Sequence, residues 1–155
     1  MRWRVRVAAA AIGCALGAAS GQATEPLDGQ AAFAKREDTM KHLGRPLYLG
    51  IGRVAKGKTP YGPETVTAAE TIAELAQKLD WSLFPPGSDV AHSRIKPEIF
   101  SAEARVRRLI AEVQQAAAKL VPAVKSGGKP EIAAAYAAVN DACNACHKLF
   151  RKEEE

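Results

Sequence analysis

Near the C-terminal end of this 155-residue chain stands Cys143-Asn144-Ala145-Cys146-His147. Cys-x-x-Cys-His is the attachment sequence for c-type haem. Positions i, i+3 and i+4 of a helix share one face. Cys143 and Cys146 can therefore reach the two vinyl groups of one porphyrin while His147 places an imidazole under the iron. Covalent thioethers keep the haem in place even where the core is small. Three other chemistries use parts of this set. Zinc needs four ligands, and beyond the two cysteines the chain offers only scattered His42 and His92. A thioredoxin-like redox pair expects a βαβ setting, whereas an Ala-rich helical stretch leads into this motif. A disulfide from i to i+3 gives His147 no role. One covalent haem c per chain is the expected cofactor.

The position of the motif constrains the second axial ligand. Only eight residues follow His147, so a distal ligand has to come from an upstream helix. Thioether sulfur and imidazole are the usual axial groups. Met40 is the only methionine apart from Met1. It falls on the apolar face of the first helical segment, where an antiparallel bundle can bring it to the iron. Filling core space is the competing use of that side chain. His42 lies two residues on, roughly 200° around the helix, so both cannot face the iron. His42 is read as solvated, and His92, in a connection among Ser and Arg, as a surface residue.

The elements that must position these groups are helical. The composition is 47% apolar with 6% aromatic, and alanine contributes 31 residues. Alanine favours helix and disfavours strand. From Gln30, the residues Phe33, Met40, Leu43 and Leu47 keep helical spacing, with Gly44 and Pro46 expected to kink or interrupt it. Pro63 suits the first turn of a second helix, with a stripe of Val66, Ala69, Ile72, Ala73, Ala76 and Leu79. Residues 80–100 form a long connection. Ser101 is a candidate N-cap for a third helix striped by Val106, Leu109, Ile110, Val113, Ala117, Leu120 and Val124. Gly127-Gly128 ends it, and Pro130 opens a fourth striped by Ile132, Tyr136, Val139, Cys143, Cys146, His147 and Phe150. Two short connections and one long one predict an all-α, antiparallel four-helix bundle.

Residues 1–23 have the layout of a secretory signal peptide. Arg2, Arg4 and Arg6 precede an apolar run from Val7 to Ala19, and Gly21-Gln22-Ala23 offers small residues for cleavage. The run is too short to span a bilayer, which takes roughly 20 apolar residues. A lipoprotein signal ending at Cys14 is the alternative. The bundle then occupies residues 24–155. Without the three arginines the formal charge falls from +5 to +2. No basic stripe remains to argue for nucleic acid, and no stable membrane insertion is expected.

At this point the chain resembles the class II c-type cytochromes, cytochrome c′ and its low-spin relatives. The resemblance covers essentially the whole mature chain. It rests on Arg36 to Lys41 (Arg-x-x-x-Met-Lys), Trp81 to Ser88 (Trp-x-x-Phe-Pro-x-Gly-Ser), Lys96 to Phe100 (Lys-Pro-Glu-Ile-Phe) and Cys143 to Arg151. It implies thioethers on Cys143 and Cys146, His147 as proximal ligand, and Met40 where low-spin members place their methionine. It implies further that Arg36 contacts a haem propionate and that Arg151 lies near the proximal face, although either arginine suits an ordinary surface or helix-end position. Trp81 and Phe84 are read as packing at the bundle end. Gly44-Arg45-Pro46 departs from the family pattern, which puts the second half of the first helix, and any homodimer built on it, in doubt.

No catalytic triad, paired acid/base carboxylates or phosphate loop is evident, so no enzyme activity is expected. The expectation is a periplasmic electron carrier with His147 and Met40 as axial ligands, serving redox partner proteins of a respiratory or photosynthetic chain. A five-coordinate haem protein binding NO or CO is the alternative. A purely structural bundle would make the haem motif incidental. Export carries its own test. Mass spectrometry of the native protein should find an N-terminus near Thr24 without lipid; a diacylglyceryl group on Cys14 would establish the lipoprotein route instead.

Overall fold

The computed structural model describes residues 28–153, so the leader and Cys14 lie outside the described residues. Its helices are α1 (Gly29–Arg45), α2 (Gly52–Ala55), α3 (Pro63–Gln77), α4 (Glu103–Lys125) and α5 (Lys129–Phe150). A π-helical turn, Pro46–Ile51, joins α1 to α2, so these three pieces form one continuous first helix of a four-helix bundle. α4 packs along both α3 and α5, while the π-turn and α2 pack on α3 and α5. Among the described residues no helix is long and apolar enough to cross a membrane.

The first helix does not stop at Gly44-Arg45-Pro46. Pro46 has no N–H to give to the preceding turn, and the chain widens there instead of ending. Gly52 N–H reaches back five residues to the Leu47 carbonyl. Leu47 and Ile51 remain buried through the wide turn. Glycine at 52 has a steric reason: a Cβ there would sit 2.9 Å from the Tyr136 ring of α5.

The core follows the helical stripes closely. On α4 all seven apolar positions of the stripe are buried, and the helix runs through Pro122. On α3 the buried set is Thr65, Ala69, Ile72 and Ala76, while Val66 and Ala73 are half-buried. Thr65 is inside because its hydroxyl caps the helix start, accepting from Gly62 N–H at 3.2 Å. Ser101 is not the cap of α4. A 3₁₀ turn, Pro97–Ser101, precedes the helix, and the Ser101 hydroxyl donates back to the Glu98 carbonyl at 3.1 Å. Ala102 takes the N-cap position.

Burial sets the stability expectation. Leu120 is fully buried and Leu149 is 36% exposed. Leu120→Ala should destabilise the holoprotein by about 2–5 kcal/mol, and Leu149→Ala by no more than about 0.5 kcal/mol, in denaturant titrations. Equal losses would show that α4 does not form the core.

Candidate functional site

One cavity of about 470 Å³ gathers the chemistry-bearing residues. This lies within the range for small-molecule and cofactor sites. α5 supplies Cys143, Cys146 and His147 to it, all half-buried. α1 contributes Phe33, Arg36, Met40 and Leu43, and the π-turn Leu47 and Tyr48. Ile72 of α3 and Leu109, Ile110 and Val113 of α4 close the interior side. The two thiols are free. Among the described residues, no three His, Cys, Asp or Glu side chains gather into a metal site of their own.

The electrostatics of α5 suit a haem seat. Burial pushes the Cys143 thiol up, and burial with the neighbouring Cys143 takes Cys146 to about 11. Burial lowers the His147 pKa, and the positive charges of Arg151 and Arg94 lower it further. The imidazole is therefore held neutral, the form that ligates a metal. Neutral donors, apolar walls and a polar rim together match a porphyrin with an axial imidazole.

Arg36 is a buried cation of the site, held at four points. It is 5% exposed. Its guanidinium lies 5.9 Å from the Phe33 ring and 5.6 Å from the Phe84 ring. One terminal nitrogen donates to the Leu83 carbonyl at 2.7 Å and the Ser88 hydroxyl at 3.2 Å. The other donates to the Ser88 carbonyl at 2.8 Å and the Ser93 hydroxyl at 3.1 Å. Four of its five N–H groups thus serve the 83–93 connection, which leaves Nε–H for any propionate. Burial depresses its pKa, opposed by Asp89.

The far end of that connection is tied to α5. Ile95 and Arg151 form an antiparallel bridge. Lys96 N–H donates to the Phe150 carbonyl at 2.8 Å, and Lys152 N–H to the Arg94 carbonyl at 2.7 Å. Arg151 caps α5, its N–H reaching the His147 carbonyl at 2.9 Å. His92, Ser93, Arg94 and Ile95 consequently become a wall of the cavity. His92 is exposed, as expected, yet it lines the cavity mouth. His42 points away, its Nδ1 3.2 Å from an Asp38 carboxylate oxygen.

Met40, Arg36, Arg151, Cys143, Cys146 and His147 all line this one cavity. Sequence reasoning missed Tyr48, because a regular helical period puts it about 80° from Met40; the wide turn brings it to the opening. It also read Phe84 only as end packing. Phe84 is 4% exposed, stacks near Trp81 at 6.1 Å, and lines the cavity as well. The Ser88 and Ser93 contacts carry no signal beyond the Phe-Pro-x-Gly-Ser stretch.

The family model for Cytochrome C′ matches residues 31–151, and the chain belongs to that family. It is 32% identical over 128 residues to cytochrome c′ of Alcaligenes xylosoxydans xylosoxydans, covering 79% of this chain and 99% of that protein. It is 31% identical over 121 residues to cytochrome c-556 of Agrobacterium tumefaciens (strain II Chrys), covering 76% and 93%. Two solved structures of Alcaligenes xylosoxidans cytochrome c prime share the fold. A ferrous variant with bound NO has a TM-score of 0.71 at 25% identity, covering 81% of this chain and 97% of that one. A variant with bound carbon monoxide has a TM-score of 0.72 at 26% identity, covering 83% and 100%. Proteins of this family bind covalently attached haem c, so haem c is the cofactor.

Arg36 generates a local prediction. Arg36→Lys keeps the charge but loses the planar fork. It should cost about 1–3 kcal/mol and raise amide hydrogen exchange at 83–93 while α4 stays protected. Unchanged exchange in that segment would remove Arg36 as its anchor.

Proposed function

We propose that the mature chain is a monohaem cytochrome c′ of the periplasm that keeps one axial position of its iron for a small diatomic ligand such as NO or CO. Cys143 and Cys146 carry the thioethers, and His147 is the proximal ligand. The observation that carries the reading is the cavity in which these three side chains meet walls of hydrocarbon. The haem supplies the iron couple and the ligand-binding position. The chain's own residues do the rest. Leu43, Leu47, Ile72 and Ile110 line the interior with apolar surface. A neutral diatomic enters such surroundings without the desolvation cost that an ion meets. Arg94 and Arg151 help keep the His147 imidazole uncharged. Solved relatives carrying NO and carbon monoxide support this reading. In the same proposal, residues 1–23 are removed on export and residues 24–155 fold as the bundle. A homodimer is consistent with a relative described as having ligand-controlled dimer dissociation.

A second reading rests on Met40, which lines the same cavity from α1. As sixth ligand it would make the protein an electron carrier between redox partner proteins, its thioether favouring ferrous iron. One sample separates the two. Haem should survive acidic acetone extraction of the denatured protein, as thioether attachment requires. The ferric protein should be high-spin at neutral pH, the ferrous protein should take up CO, and Met40→Ala should leave the spin state unchanged. A low-spin ferric spectrum, with a red Fe–thioether charge-transfer band that Met40→Ala abolishes, would overturn the gas-binding reading and establish the carrier. In that case Met40→Ala would also lower the potential and speed CO binding.

A further inference from the structure

We propose that Tyr48 is the gate of the cavity: its ring covers the opening between the first helix and α5, and small ligands enter or leave when it swings aside. The inference rests on the ligand-binding reading proposed above and adds the residue that controls access to that position.

The apolar side chains that line the cavity are buried or half-buried, with one exception. Tyr48 is 44% exposed and lines the cavity as well, so a single side chain meets both the interior and water. Its neighbour Leu49 is 59% exposed and takes no part in the lining. The boundary between inside and outside therefore falls at this step of the π-turn. A π-turn inside a helix frequently marks a functional position, and here it re-aims an aromatic ring.

The surroundings show what the ring spans and what lets it move. On its own helix it lies beside Gly44. A Cβ there would meet the ring carbons Cε2 and Cδ2 at 3.7 Å and 3.8 Å, ordinary contact, so the glycine leaves a methyl-sized space next to the ring. Across the opening stand Cys143, Tyr136 and Arg151 of α5. Burial raises the Tyr48 pKa, Cys143 and Tyr136 raise it further, and Arg151 opposes them. The ring thus reaches from the first helix toward the turn that carries the attachment motif, with its phenol uncharged. Among the described residues no group hydrogen-bonds its hydroxyl. Side chains that reach solvent change rotamer within picoseconds to nanoseconds. Such a ring acts through the fraction of time it stands open. It blocks a path without holding the bound ligand, so it slows entry and exit by the same factor and leaves affinity unchanged.

Flash photolysis and ligand displacement on the ferrous holoprotein, with CO as the probe, measure both rate constants. With an open state of roughly 10% in wild type, Tyr48→Ala should raise CO association and dissociation about tenfold each. The equilibrium affinity and the spin state should not change. Tyr48→Phe keeps the ring and should match wild type. Leu49→Ala, on the exposed neighbour outside the cavity, should match it too. Unchanged rates in Tyr48→Ala overturn the inference. A rise in dissociation alone also overturns it, because Tyr48 would then be a contact of the bound ligand. An equal rise in Leu49→Ala overturns it by making general loosening of the turn the cause. Wild-type ferrous protein that takes up no CO overturns the ligand-binding reading, and the inference with it.

Discussion

A buried guanidinium on the first helix is the interaction on which the site depends. Taking that cation out of water costs several kcal/mol. Its four hydrogen bonds to the 83–93 connection are each worth about 1.5–3 kcal/mol when the donor is charged. Those bonds offset the cost, and what they fix is the path of the connection. Leu83, Ser88 and Ser93 are separated by up to ten residues, and one planar fork collects their oxygens. Without that convergence, a connection of more than twenty residues has no reason to lie across the open side of the bundle. With it, residues 92–95 become the fourth wall of the cavity. Gly29 and Gly87 assist at the same end, since a Cβ on Gly29 would overlap the Gly87 carbonyl.

The second tie runs through α5 itself. The residues that pair with the loop, Phe150 to Lys152, begin three residues after His147. The His147 turn of α5 and the loop wall are therefore tied together through backbone hydrogen bonds. Arg94 and Arg151 arrive beside the imidazole because of that pairing, and their charge adds to burial in keeping it neutral. A helix C-terminus ordinarily favours a cation. Here that cation sits one turn past His147, so a feature of helix capping also shifts that imidazole toward its neutral form.

The helices and the cavity-lining turn of α5 were legible in the sequence because both obey a short period. The α4 stripe is buried at every expected position, and Cys143, Cys146 and His147 need only the i, i+3, i+4 geometry of one turn. Features that break the period were not legible. Pro46 signals the loss of a hydrogen bond, but whether a helix stops or widens depends on what its next turn buries. Leu47 and Ile51 have a core to enter and Gly52 has Tyr136 to meet, so the chain continues through a π-turn. Arg36 was legible as a candidate residue but not in its role. Its partners are mostly backbone carbonyls and serines some fifty residues away, and a carbonyl leaves no mark in a sequence.

Coordination in such a bundle is decided by helix placement more than by ligand identity. With haem held on α5 through Cys143, Cys146 and His147, as proposed above, α1 forms the opposite wall of its cavity. α1 is held at its start by Arg36 and the Gly29–Gly87 contact, and at its end by the π-turn packed on α3 and α5. Met40 sits between those two anchors with a long, flexible thioether. A first helix anchored close to the haem makes that sulfur a ligand. The same helix anchored slightly farther away makes it one more apolar group in a pocket for a diatomic molecule. Arg36 at the first anchor and Leu47 and Tyr48 at the second line the same cavity as Met40. In the proposed function, the placement of α1 against α5 therefore separates a Met40 that ligates from a Met40 that only walls the pocket.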